Sequence, residues 1–130
     1  MTSAVPSSFL VLAADDPGRL AAFYGALLET EPLRGFSSSH WRLLGPGDGR
    51  LEIYAPSRRR PRPRGEGRLA LCFSRPAAEA PPLQVLHDWI AVVLALGAVP
   101  VEPPRQEPFG AEAWLADPEG NRLLLLVSGG

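Results

Sequence analysis

Few side chains in this sequence are equipped for chemistry. Glu112 and Tyr54 are the candidates for a general acid or base, since each can hold or release a proton close to a reacting group. Trp41, Tyr54 and Trp114 lie in strand-like segments, where their rings would either stack on a flat ligand or fill the core. The one cysteine, Cys72, falls in the apolar run Leu69-Ala70-Leu71-Cys72-Phe73, which favours a small buried residue over a nucleophile. Two histidines complete the set. His40 precedes Trp41 at the start of a strand, and His87 sits on the outer side of a helix between Leu86 and Asp88. Both read as surface residues rather than metal ligands.

The elements that must carry these residues follow from periodicity and punctuation. Ser8 to Ala14 is an apolar, branched run that predicts a buried strand. Asp16 then supplies a helix N-cap and Pro17 the first helical position. Leu20, Phe23, Tyr24, Leu27 and Leu28 recur along one helical face, and Pro32 lies beyond the end. Residues 40–44 and 50–55 predict two strands, joined through Gly45-Pro46-Gly47-Asp48-Gly49, whose Asp-Gly pair suits a hairpin. The pattern then repeats. Residues 67–74 predict a strand, Leu86, Trp89, Ile90, Val93 and Leu94 form a second helical face, and Gly97 stands where a C-terminal cap belongs. A strand at 98–102, a proline-rich loop and a strand at 111–116 follow. Asp117-Pro118-Glu119-Gly120-Asn121 turns into the last strand, 122–127.

Three segments match in order. Phe9-Leu10-Val11-Leu12 parallels Arg68-Leu69-Ala70-Leu71, the two helical faces parallel each other, and Arg50-Leu51-Glu52-Ile53-Tyr54 parallels Arg122-Leu123-Leu124-Leu125-Leu126. This predicts a duplicated unit whose halves pack as one domain, because neither half can bury its face alone. The reading is an α+β domain over 1–130 of two halves, 7–55 and 67–128, with a cleft between their sheets. The segment 56–66 (PSRRRPRPRGE) is read as an extended, solvated linker.

Composition narrows the functional classes. At 130 residues, 45% hydrophobic and with a formal net charge of −1, the chain suits one domain and carries no global field for nucleic acid or an anionic membrane. All thirteen basic residues are arginine, the better residue for forked contacts with carboxylate or phosphate. A single cysteine precludes an intramolecular disulfide framework. The N-terminal stretch lacks the pattern of a signal peptide, and no apolar run approaches the ~20 residues of a membrane span. The expectation is a cytoplasmic protein. The Arg58 to Arg64 run would suit phosphate or an acidic protein surface, but no aromatic residue is interleaved for stacking on bases.

Asp16-Pro17-Gly18-Arg19-Leu20-Ala21-Ala22-Phe23-Tyr24 with Leu27-Leu28, then Leu96-Gly97-Ala98 and Asp117-Pro118-Glu119-Gly120-Asn121, together resemble the vicinal-oxygen-chelate superfamily. That group includes glyoxalase I, bleomycin-resistance proteins, fosfomycin-resistance enzymes and extradiol dioxygenases. The resemblance spans nearly the whole chain and implies paired βαβββ modules that form one curved mixed-sheet cavity, a small-molecule ligand and a homodimer. Metal-dependent members place four ligands in the cavity, one on the first and one on the last strand of each module. The corresponding positions here are Phe9, Glu52, Arg68 and Leu124. Only Glu52 can donate to a divalent cation, and a guanidinium repels one.

The resemblance therefore implies a member without metal or other cofactor, binding a neutral or anionic small molecule near Phe9, Trp41, Glu52, Tyr54, Arg68, Trp114 and Leu124. Glu52 and Arg68 would form a buried pair in place of the metal, or Arg68 would stay free to grip an anionic ligand. The bland counterpart has Arg68 leaning to solvent and Glu52 an ordinary exposed residue. Two other readings stand beside these. One is a metal-dependent lyase or dioxygenase of the glyoxalase I type, which needs at least three converging donors. The other is a non-catalytic interaction scaffold using the Arg-rich segment. An arginine-bearing cavity is a poor match for a cationic antibiotic.

Overall fold

A computed structural model describes residues 8–35, 37–45, 49–57 and 68–129. The chain divides into two compact units, Met1–Arg62 and Pro63–Gly130. The Arg-rich run from Arg58 to Arg64 lies outside the described residues.

In the first unit, strand β1 (Leu10–Ala13) leads into helix α1 (Pro17–Leu28), followed by β2 (Leu33–Arg34), β3 (His40–Leu44) and β4 (Arg50–Tyr54). The helix starts as expected: Asp16 Oδ1 accepts the Arg19 backbone N–H at 3.2 Å, and Pro17 occupies a position whose missing N–H has no intrahelical acceptor. Its end is set by Glu29, in the left-handed region at φ 55, whose N–H and that of Thr30 close on Ala26 and Gly25 carbonyls. Leu20, Phe23, Tyr24 and Leu27 are buried on the face α1 turns to β3 and β4. Burial of each such side chain contributes about 1.5–3 kcal/mol. The sheet order is β1-β4-β3-β2, with β1 parallel to β4 and the other pairs antiparallel.

The second unit repeats this plan. Strand β5 (Leu71–Pro76), helix α2 (Pro82–Ala95), β6 (Val99–Pro100), β7 (Arg105–Glu107), β8 (Gly110–Ala116) and β9 (Arg122–Ser128) follow in order. The sheet order is β5-β9-β8-β6, with β7 pairing a different stretch of β8. With β7 set aside, β5, β6, β8 and β9 take the places of β1, β2, β3 and β4. Helix α2 buries Leu86, Trp89 and Val93 and packs on β8 and β9, whose Ala111, Ala113, Leu115, Leu123, Leu125 and Val127 are buried on alternate positions. At Gly110 the chain runs at φ +147, and a Cβ there would stand 2.0 Å from the Val127 carbonyl oxygen. Only glycine fits that corner.

Several strand boundaries differ from the sequence reading. β5 begins at Leu71 and runs on to Pro76, so Arg68 lies ahead of the strand, and Leu69 is 92% exposed. The short strands β2 and β7 carry too few residues for an alternation to register. Cys72 is exposed, not buried. Its register partner is Leu124, which faces away from α2, and β5 is an edge strand.

The Asp-Pro-Glu-Gly-Asn turn is held by one side chain. Asp117 is 2% exposed, and its Oδ1 accepts the N–H groups of Glu119 (2.8 Å) and Asn121 (3.0 Å) while Oδ2 accepts Asn121 Nδ2 (2.9 Å). Asp117→Ala strands these donors. A loss of about 2–4 kcal/mol is expected in urea unfolding, with Asp117→Asn intermediate because it keeps an acceptor.

Candidate functional site

The face of the first sheet turned away from α1 is organised around one carboxylate. Glu52 is on the central strand β4 and is 4% exposed. His40 Nε2 lies 2.5 Å from its Oε1. On the other oxygen, Oε2, Arg42 Nε donates at 2.6 Å, and Arg50 Nε stands at 3.1 Å. The Arg50 contact has the distance of an ion pair but not the alignment of a hydrogen bond, so that buried nitrogen has no hydrogen-bond partner.

Local structure explains this convergence. The β3–β4 hairpin closes through the Gly45 N–H on the Gly49 carbonyl, and its register sets Arg42 opposite Glu52, Leu44 opposite Arg50 and His40 opposite Tyr54. Residues two apart on a strand share a face. His40, Arg42, Arg50, Glu52 and Tyr54 therefore share one, and Trp41, Leu43, Leu51 and Ile53 the other. Gly35 leaves room for the imidazole: a Cβ there would come within 2.4 Å of the His40 ring. Burial by itself would push the Glu52 carboxyl up, but hydrogen bonds from Arg42 and His40, with their charge, outweigh it and hold the carboxyl below its ordinary 4.5.

The expected site residues fall out unevenly. Phe9 stands just ahead of β1 and beside Glu52's strand, with the Arg50 guanidinium 3.7 Å from its ring centroid. Tyr54 shares Glu52's face and is buried. Trp41 does not join them. Its indole lies on the α1 side, next to Gly18, with Arg34 stacked on it at 4.5 Å, and it helps line a shallow groove of about 590 Å³ along α1. His40, expected at the surface, is buried on Glu52, whereas His87 is exposed as expected. Glu52 is not an ordinary exposed residue, and its partners come from its own sheet rather than from Arg68. Arg68 is exposed. Since Val11 pairs with Glu52 and Cys72 with Leu124, the counterpart of Phe9 by register is Ala70, two residues after Arg68.

In the second unit the corresponding face is mostly apolar. Cys72, Leu124 and Trp114 form one row across β5, β9 and β8, and Ser74, Leu126 and Glu112 the next. Burial and the charge of Glu112 push the Cys72 thiol up. Glu112 is itself held by Arg105, at 3.2 Å.

Sequence reasoning missed Arg42 and Arg50. The signal was available: the five-residue connection fixes the hairpin register, and that register brings both arginines to Glu52.

A metal does not fit this donor set. Glu52 offers the only carboxylate at the four expected positions, and two guanidiniums already occupy it. Phe9, Ala70 and Leu124 offer no lone pair, and no group of three or more potential metal-binding residues occurs among the described residues.

The glyoxalase-like domain model matches residues 9–126. The chain belongs to the glyoxalase-like domain family. Membership places it in the vicinal-oxygen-chelate superfamily. A glyoxalase/bleomycin resistance protein from Albidiferax ferrireducens T118 is 24% identical over 93% of this chain and 97% of its own, with a TM-score of 0.69. A glyoxalase/bleomycin resistance protein/dioxygenase family enzyme from Burkholderia phytofirmans PsJN is 18% identical over the same shares, with a TM-score of 0.75. A fosfomycin resistance protein from Mesorhizobium loti is 15% identical over 95% and 92%, at 0.68. At these identities the likeness is one of fold. No curated protein matches the sequence significantly. No helix among the described residues is long and apolar enough to cross a membrane.

Two outcomes are expected of this glyoxalase-like site. Because the Glu52 carboxyl titrates lower when folded, its contribution is fully present above about 4.5 and is lost as pH falls through the folded value. Glu52→Gln should cost about 1.5–3 kcal/mol near neutrality, and its unfolding free energy should fall less steeply in acid than that of the wild type. Gly35→Ala should displace the His40 ring at a cost of roughly 1–3 kcal/mol, seen as a change in the His40 imidazole nitrogen shifts.

Proposed function

We propose that this glyoxalase-like protein binds a neutral or anionic small molecule without a metal ion, on the sheet face that carries Glu52. The observation that carries the reading is the occupancy of Glu52. A carboxylate that accepts from His40 and Arg42 and lies against Arg50 has both oxygens engaged, and the guanidiniums repel an incoming cation. Phe9 and Tyr54 adjoin it in the first module, and Trp114 and Leu124 hold the corresponding face in the second. Arg68, exposed ahead of β5, has a guanidinium open to solvent. A homodimer is the assembly this reading carries with it, supported by the apolar side chain of Leu10 left exposed on the edge strand β1.

The test is to purify the protein without chelator, measure bound metal by elemental mass spectrometry, and search for a retained small molecule by native mass spectrometry. Substoichiometric metal, with a small-molecule adduct that survives chelator, is the expected result. One tightly held divalent ion per chain, released by Glu52→Gln, would replace this reading with that of a metal-dependent lyase or dioxygenase.

A further inference from the structure

We infer that Arg42 and Arg50 form an oxyanion clamp, and that the ligand is an amphiphilic anion carrying one carboxylate or phosphate group on an apolar body. The inference rests on the small-molecule reading above and names the ligand class.

Charge is the first argument. Two guanidiniums meet one carboxylate, so the cluster keeps an unbalanced positive charge even with His40 left aside. The closest approach of each arginine to Glu52 is from Nε to Oε2, and among the described residues no terminal guanidinium nitrogen is a buried atom without a hydrogen-bond partner. Each side chain is about one-third exposed, 32% for Arg42 and 34% for Arg50, above a Glu52 side chain at 6%. The arrangement is a buried carboxylate beside two part-exposed guanidiniums, and a guanidinium fork matches carboxylate and phosphate oxygens.

The two arginines are not equally committed. Arg42 donates an aligned hydrogen bond to Glu52. Arg50 does not, so Glu52 neutralises it less. Its plane is held instead by the Phe9 ring, at 3.7 Å. Arg50 is therefore the arginine whose charge is most available to a ligand.

The surroundings describe the rest of the molecule. Leu44 pairs in register with Arg50, and Val11 and Leu33 flank the Glu52–Arg42 row. With Phe9, these apolar side chains are exposed on the same face. A purely inorganic anion would leave them in water; a neutral apolar molecule would leave the positive charge unmatched.

Hexanoate, hexyl phosphate and hexanamide test this, with binding followed by calorimetry on the full chain and on Arg50→Gln and Arg50→Lys. One of the two anions should bind at least about tenfold more tightly than the amide, the worth of one charge-assisted hydrogen bond. Whichever anion binds better identifies the head group. Arg50→Gln should bring that anion to the level of the amide. Arg50→Lys, which keeps the charge and loses the fork, should retain part of the preference and serves if the glutamine variant does not fold. Equal binding of anions and amide, or a preference untouched in both variants, would overturn the clamp and leave the small-molecule reading standing. Binding of none of the three overturns the clamp, and if native mass spectrometry also finds no adduct, the small-molecule reading falls with it.

Discussion

The first module is built around a carboxylate that has been taken out of water. Moving an ionised glutamate into a sheet face carries a desolvation cost of several kcal/mol, and it is tolerated only where donors are already aimed at it. Here they come from cross-strand pairing. Arg42 lies opposite Glu52, Arg50 is two residues before it on the same strand, and His40 comes from the next row. A slip of one residue between β3 and β4 would turn one strand's polar set into the core under α1. The charge cluster and the apolar core thus enforce the same register, one from each side of the sheet.

The second module has the same topology without the buried charge. Where β4 carries Glu52, β9 carries Leu124, in a row with Cys72 and Trp114. No ion has to be satisfied there, so that row can vary in size and polarity at little cost. The charged pair on this face, Arg105 with Glu112, sits one row along and ties β7 to β8. The two units share a strand order apart from β7, and the buried carboxylate cluster lies in the first of them.

Much of this was legible in the residues. Helix α1 could be read from Asp16, Pro17 and the spacing of Leu20, Phe23, Tyr24 and Leu27, because capping and a 3.6-residue period are local signals. The strands β3 and β4 were legible from alternation between Gly-rich breaks. The start of β5 was not, since Leu69 and Ala70 look like strand residues and only pairing with β9 decides where the strand begins. Nor was the burial of His40, which depends on Gly35 leaving space and on Glu52 lying across the sheet. Cys72 misled for the same reason: an apolar run does not say which face is covered. Arg68 drew attention through a segment match that was two residues out of step with the pairing of β5 and β9.

That offset puts Ala70 rather than Arg68 at the third expected ligand position. Arg68 at that position would have placed a guanidinium there, which repels a cation. Ala70 offers no lone pair there either, although Cys72 and Ser74 follow it on the same face of β5. The positive charge lies in the first module, on Arg42 and Arg50, attached to the one carboxylate a metal would need. Turning Glu52 into a metal ligand would require the release of both guanidiniums and further donors beside it. Two guanidiniums against one carboxylate leave the Glu52 cluster with an excess of positive charge, and that excess is what supports the proposal of an anionic ligand.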